Sequence, residues 1–216
     1  EEPGEKKGVF EGQIATFKAD TLDELAKKLG ITDERPVVVS VWGSLGASVM
    51  NRQIVDFIAL ECKAGEPFHH IHGAGRDYRA VLDALQGSGL ADHPEVDVRE
   101  YIYDMPLVMA AADLVLCRAG ASTLSELTAT GKPAILVPSP NVTANHQFKN
   151  AKVLSDRGGA LLVEEKDCSG QKLYGMVQDL LADGAGRDRM SQAQLSLAVP
   201  TAAEDIYQAL MKLMGH

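Results

Sequence analysis

The fold of this chain is decided by one stretch, LVLCRAGASTLSELTATGKPAILVP, which spans residues 114–138. An apolar run passes through small residues into a helical pattern, Gly131 ends that pattern, and a second apolar run follows. This order predicts a strand, a tight turn, a helix and a second strand. The small residues at 119–121 let a ligand approach the backbone, and a helix that starts at Ser122 or Thr123 would point its free N–H groups at an anion.

Strand and helix patterns alternate through most of the remaining chain. This alternation predicts an α/β fold, a doubly wound, Rossmann-like parallel sheet of about six strands. The predicted strands lie at 37–41, 68–72, 96–102, 114–117, 134–137 and 160–163. Residues 1 to about 19 are polar and contain glycine, and the strand and helix alternation begins after Arg35, so we divide the chain into an N-terminal segment, residues 1–34, and a main domain, residues 35–216.

The N-terminal segment carries weaker patterns. The sequence TLDE at residues 21–24 is typical of a helix N-terminus, and the helix is predicted to end at Gly30. Two short apolar patches, at residues 9–10 and 14–17, fit either a strand or a docked tail.

Composition and charge exclude several classes of protein. A net charge of -9 argues against nucleic acid as a partner and against electrostatic attachment to anionic lipid, since both need clustered Lys and Arg. Three widely spaced cysteines without a CxxC pair encode neither a disulfide framework nor a zinc site, which favours a reducing, cytoplasmic location. No apolar run reaches the roughly 18–20 residues that span a bilayer.

Three loops follow predicted strands and would meet at one edge of the sheet, where open parallel sheets bind ligands. They are GSLGA at 43–47, RAGAST at 118–123 and PSPNVTANHQ at 138–147. Two helix N-termini, several hydroxyls and one guanidinium suit a diphosphate, so we predict a nucleotide-type ligand. The usual dinucleotide and P-loop fingerprints are absent, and the acid suited to a ribose diol is Glu126, after the fourth strand.

These motifs, together with YIYDMP at 101–106 and NHQ at 145–147, closely resemble the donor-binding, C-terminal half of the MurG family. That family comprises membrane-associated bacterial transferases that add N-acetylglucosamine to undecaprenyl-linked muramyl-pentapeptide in peptidoglycan synthesis. The resemblance runs from about Arg35 to the C-terminus. It implies one half of a two-domain inverting glycosyltransferase that acts at the cytoplasmic face of the cell membrane in cell-wall biogenesis, cell shape and cell division.

The resemblance also implies the partners. The donor would be UDP-N-acetylglucosamine (UDP-GlcNAc), and the lipid-linked acceptor would be bound by an N-terminal domain that has no counterpart in these 216 residues. It implies no cofactor and no metal, and the chain shows no Asp-x-Asp pair to hold one. We expect no membrane contact from this half, no catalytic residue in it, and no sugar transfer by this chain alone.

The residues that match the family's donor site would bind UDP-GlcNAc. They are Ser44, Gly46, Ile102, Met105, Arg118, Ala121, Ser122, Thr123, Glu126, His146 and Gln147. By resemblance, uracil would lie against the backbone of Ile102 with Met105 beside it, and Glu126 would accept both ribose hydroxyls. The first glycine-rich turn would face the diphosphate, and residues 118–123 would flank the α-phosphate. His146 and Gln147 would read the hexose.

The chain departs from the family in its first turn, where Trp42 replaces a glycine and Ser48 an arginine. Trp42 would crowd the turn. Two other functions stay open: a UDP-sugar epimerase of similar architecture, which would need acid and base side chains over the sugar, and a non-catalytic nucleotide-binding module.

Several side chains also have purely structural interpretations. The run HHIH at 69–72 resembles a metal site, but alternation along a strand separates His69 from the other two histidines and favours packing. Cys117 fits a buried core residue better than a nucleophile. Arg118 fits a surface cation, Glu126 an exposed helix acid, and Gln147 a cap of its own helix.

Overall fold

The computed structural model describes residues 6–10, 13–17, 27–43, 46–65, 67–90, 92–93 and 96–214. Two strands, β1 (Lys6–Phe10) and β2 (Gln13–Phe17), pair antiparallel with Val9 opposite Ile14. Both apolar patches of the N-terminal segment are therefore strands. The predicted helix start at residues 21–24 lies outside the described residues, while Lys27 and Lys28 are helical.

The main domain is built on a six-stranded parallel sheet, which confirms the predicted fold class. The strands follow the order β5-β4-β3-β6-β7-β8. Val39, in the centre of β3, pairs with Ile71 on one side and Val115 on the other. The strands are β3 (Val37–Val41), β4 (His69–Gly73), β5 (Val96–Arg99), β6 (Leu114–Cys117), β7 (Ala134–Leu136) and β8 (Leu161–Leu162).

Beside the helical residues 27–28, the described ranges contain eight α-helices, which connect or follow these strands. They are α1 (Ser48–Lys63), α2 (Tyr78–Gly87), α3 (Met105–Ala111), α4 (Ala121–Thr130), α5 (His146–Asp156), α6 (Gly170–Ala182), α7 (Gly184–Leu195) and α8 (Ala202–Leu213). No helix in the described ranges is long and apolar enough to cross a membrane.

The central strands are apolar on both faces because helices cover both. Val38 points into one buried cluster with residues of α1, α2 and α6, whereas Val37 and Val39 point into a second cluster with residues of α3, α4 and α5. Such two-sided burial is typical of parallel sheets whose crossover helices alternate between faces. The helix α8 differs, because none of its residues is buried and its apolar side chains are exposed: Ile206, Tyr207, Leu210 and Leu213.

Several predicted element ends differ from the observed ones. The strand predicted at 96–102 ends at Arg99, where its parallel pairing with β4 ends opposite Gly73. The helix predicted to start at Ser122 or Thr123 begins at Ala121, because Gly120 already has the extended conformation of an N-terminal cap.

Candidate functional site

A cavity of about 650 Å³ opens at the carboxyl ends of the central strands. It lies where β3 and β6 are neighbours and the chain proceeds outward in opposite directions, which is where open α/β sheets bind ligands. Six of the residues predicted to bind the donor line it: Ile102, Met105, Arg118, Ser122, Thr123 and Glu126. Ala121, Gly46, His146 and Gln147 are not among its lining residues, and Ser44 lies outside the described residues.

One end of the cavity is suited to an anion. The helix α4 starts there, and its cap residue Gly120 has no side chain that could accept from the first-turn N–H groups. Ser122 and Thr123 line the cavity in that first turn and add two hydroxyls. Unsatisfied N–H groups and the positive end of the helix dipole together attract a phosphate.

The first glycine-rich turn has a backbone that only glycine adopts easily. Gly43 and Gly46 have φ values of 89° and 71°, in the left-handed region. A Cβ atom at Gly46 would also collide with the carbonyl oxygen of Ala74, whereas a Cβ atom at Gly43 would meet no atom within 4 Å. Asn51 Nδ2 donates to that same Ala74 oxygen over 2.8 Å, so the turn packs against a fixed carbonyl.

The cavity lining also combines the acid Glu126 with apolar groups. Glu126 lies one turn into α4 and is half-buried, while Ile102 is buried and Met105 half-buried at the start of α3. A Cβ atom at Gly73 would press on Ile102 and Val41 at 3.2 Å, so glycine at the end of β4 keeps this wall close to the sheet.

The carboxylate of Glu126 also influences Cys117, which ends β6. Burial, and then the charge of Glu126, raise the pKa of the Cys117 thiol to about 12. The residue is almost fully buried, so it is a core residue in its protonated form and cannot act as a thiolate nucleophile near neutral pH.

Arg118 is buried rather than a surface cation. Its Nη1 donates to the carbonyl of Val137 over 3.0 Å, its Nη2 donates to Oε2 of Glu165, and its guanidinium carbon lies 6.0 Å from the centre of the Trp42 ring. Trp42 itself is buried in the core and is not among the residues that line the cavity. The sequence carried no signal for Glu165, which is 47 positions away from Arg118.

The third loop does not reach the cavity lining. Gln147 Oε1 accepts from the backbone N–H of Ser139 over 2.9 Å, so it braces the loop instead of capping its own helix. The Nδ1 of His146 lies 3.0 Å from the carbonyl oxygen of Thr143. Ala144 and Asn145 both have φ near 50°, a left-handed pair without glycine, and such backbone strain is found mostly at functional positions.

The histidines of β4 belong to a buried polar chain. Ser40 Oγ lies 2.8 Å from His70 Nε2 and 2.7 Å from His72 Nδ1, while Glu61 Oε2 lies 3.0 Å from His70 Nδ1. At the other end, His72 Nε2 lies 3.2 Å from Asn51 Oδ1.

These buried polar side chains have a structural role, and burial keeps His72 uncharged. Burial lowers the pKa of His72 to about 3, so its ring is neutral at physiological pH. His69 faces the opposite side, where it pairs with Asp33 at 2.7 Å, as strand alternation predicts. Within the part of the chain that the structure describes, no group of three His, Cys, Asp or Glu side chains could hold a metal ion.

The sheet order and the cavity at its switch point define a Rossmann-like domain whose cavity suits a phosphate-bearing ligand. Comparison with known proteins identifies the family. Residues 37–206 match the model of the glycosyltransferase family 28 C-terminal domain, and the chain belongs to this family.

Two relatives and one solved structure agree with this membership. The UDP-N-acetylglucosamine--N-acetylmuramyl-(pentapeptide) pyrophosphoryl-undecaprenol N-acetylglucosamine transferase of Exiguobacterium sibiricum is 36% identical over 94% of this chain and 53% of its own length. The transferase of the same name from Acetivibrio thermocellus is 39% identical over 87% of this chain and 50% of its own length. The crystal structure of Acinetobacter baumannii MurG has a TM-score of 0.68 and 25% identity, covering 87% of this chain and 53% of that one. The chain thus spans about half the length of the relatives it matches.

Proposed function

We propose that residues 35–216 form the UDP-GlcNAc-binding domain of an inverting transferase that adds N-acetylglucosamine to a lipid-linked muramyl-pentapeptide. One observation carries the proposal: a single cavity brings the uncapped start of α4 together with Glu126 and the wall formed by Ile102 and Met105. The family membership and the activity for which the relatives are named support the choice of donor.

In this proposal each part of the nucleotide has a matching surface. Uracil lies against the backbone of Ile102 with Met105 beside it, where an apolar wall suits the face of a flat base. Glu126 accepts hydrogen bonds from both ribose hydroxyls, because a carboxylate has two acceptor oxygens. The diphosphate lies at Ser122 and Thr123, where first-turn amides of α4 are directed at it.

In this proposal, loops supply the contacts to the hexose and the remaining contacts to the phosphates. The glycine-rich turn at 43–47 would face the diphosphate, and the loop that Gln147 braces would face the sugar. Because His146 and Gln147 lie outside the cavity lining, we expect the third loop to move toward the sugar when the donor binds.

The chemistry proposed for the full-length protein needs no covalent intermediate. The acceptor hydroxyl gives its proton to a base in the N-terminal domain and attacks the anomeric carbon from the side opposite UDP. The bond between that carbon and the diphosphate oxygen breaks, UDP leaves with the electron pair, and the configuration inverts. Negative charge then grows on the departing UDP, where the amides and dipole of α4 stabilise it without reorganisation. We propose that this reaction takes place at the cytoplasmic face of the membrane, with an N-terminal domain holding the acceptor.

Calorimetric titration of the chain with UDP, UDP-GlcNAc, ADP and NAD tests the donor assignment. We expect UDP and UDP-GlcNAc to bind at least tenfold more tightly than ADP, a difference of about 1.4 kcal/mol. Equal or tighter binding of ADP would refute the assignment. Transfer to a lipid-linked acceptor is measured in parallel, and turnover by these 216 residues alone would show that the acceptor site lies within them.

A further inference from the structure

The side chain of Arg118 connects the ends of three strands, β6, β7 and β8, beside the cavity. Arg118 follows β6, its acceptor Val137 follows β7, and its acceptor Glu165 follows β8. The ring of Trp42, which follows β3, lies 6.0 Å from the guanidinium carbon, within the range of a cation–π contact. The guanidinium is therefore held by two hydrogen bonds and by the Trp42 ring.

The charge of Arg118 needs Glu165. The side chains are only 10% and 12% exposed, and a guanidinium this buried is costly unless a carboxylate accepts from it. An arginine has five N–H donors in a fixed fork. Val137 and Glu165 each accept from one of these N–H groups. The other N–H groups of Arg118 are left to donate to a ligand, and the side chain lines the cavity.

We infer that Glu165 is a positioning residue for the donor: it holds Arg118 along the cavity wall so that the guanidinium contacts the phosphate next to the ribose. The inference rests on the proposed function, because it places that phosphate at the start of α4. Glu165 does not contact the donor in this arrangement. It acts through Arg118, in the way that supporting hydrogen bonds orient the residues of other binding sites.

Two substitutions of Glu165 distinguish the positioning of Arg118 from the effect of the Glu165 charge. Glu165→Ala removes the acceptor, so Arg118 is free to turn away, and we expect UDP to bind about tenfold more weakly, which corresponds to about 1.4 kcal/mol. Glu165→Gln keeps an acceptor oxygen at the same place, and UDP binding should stay within about threefold of the unmodified chain. Uridine has no phosphate, so its affinity should not change in either variant. Glu164→Ala, at a neighbouring exposed acid, is the matched control.

Calorimetry gives the UDP affinities, ligand-observed NMR gives those of uridine, and thermal unfolding is recorded for every variant. Tighter UDP binding by both Glu165 variants would overturn the inference, since Glu165 would then compete with the phosphate. Unchanged UDP binding by Glu165→Ala, or equal weakening by Ala and Gln, would also overturn it. Failure of the unmodified chain to bind UDP would instead refute the proposed function, and the inference with it.

A double variant keeps the inference testable if Glu165→Ala alone fails to fold. Arg118→Met combined with Glu165→Ala leaves neither charge buried alone. In the Arg118→Met background, Glu165→Ala should no longer change UDP affinity, because the residue that it positions is gone. A further loss of UDP binding in that background would contradict a role through Arg118.

Discussion

Replacing Gly46 by alanine should damage the first glycine-rich turn far more than the same change at Gly43. Both residues have positive φ, 71° and 89°, and holding an alanine in this region costs about 1–2 kcal/mol. Only at Gly46 would the new Cβ atom also overlap the Ala74 carbonyl oxygen, and overpacking of this kind costs about 1–3 kcal/mol more. We therefore expect a loss of about 2–5 kcal/mol for Gly46→Ala and about 1–2 kcal/mol for Gly43→Ala.

The larger loss of stability expected for Gly46→Ala has an identifiable structural cause. The Ala74 oxygen cannot move without disturbing its hydrogen bond from Asn51, whose other side-chain atom contacts the neutral ring of His72. Urea unfolding of the two variants measures the difference in free energy of unfolding. Equal losses would refute the reasoning, because they would show that the backbone angle alone matters and that the turn does not press on Ala74.

Other substitutions test the site and the core separately. Glu126→Ala removes two charge-assisted hydrogen bonds to the ribose, so UDP should bind about 30- to 150-fold more weakly. The ligand 2′,3′-dideoxy-UDP lacks both hydroxyls and should bind the two forms equally. If titrations show a matching loss for the dideoxy ligand, Glu126 shapes the loop instead of binding the ribose. Burial lowers the pKa of His72 from its usual 6.5 to about 3 in the folded chain, so below pH 6.5 the unfolded chain binds a proton that the folded chain does not bind. Stability should thus fall by up to about 1.4 kcal/mol per pH unit as the pH drops from about 6.5 towards 3, and urea unfolding across this window should show a smaller slope for His72→Gln; an unchanged slope would assign the effect to other groups. Leu210→Ser, on the exposed face of α8, should change the free energy of unfolding by no more than about 0.5 kcal/mol, and a larger loss in thermal unfolding would show that this face is covered in solution.

The sequence by itself determined the elements and their order. Apolar runs, helical periodicity and glycine stops are local signals, and they predicted a parallel sheet of about six strands and a helix that starts at Ser122 or Thr123, one or two residues after its observed start. They also indicated that His69 faces away from His70 and His72, because alternation is a property of every strand. The ends of the elements were less certain, since the end of β5 depends on how its neighbour turns.

Only the tertiary structure decided which side chains meet. The parallel strands bring Ile102, Met105 and Glu126 to one cavity and leave Gln147 bracing a loop outside its lining. Glu165 reaches Arg118 across 47 positions because β7 and β8 follow β6 in the sheet. No periodicity encodes such a pair: its formation depends on strand order, register and burial together, and a buried guanidinium is stable only where the fold delivers a carboxylate to it.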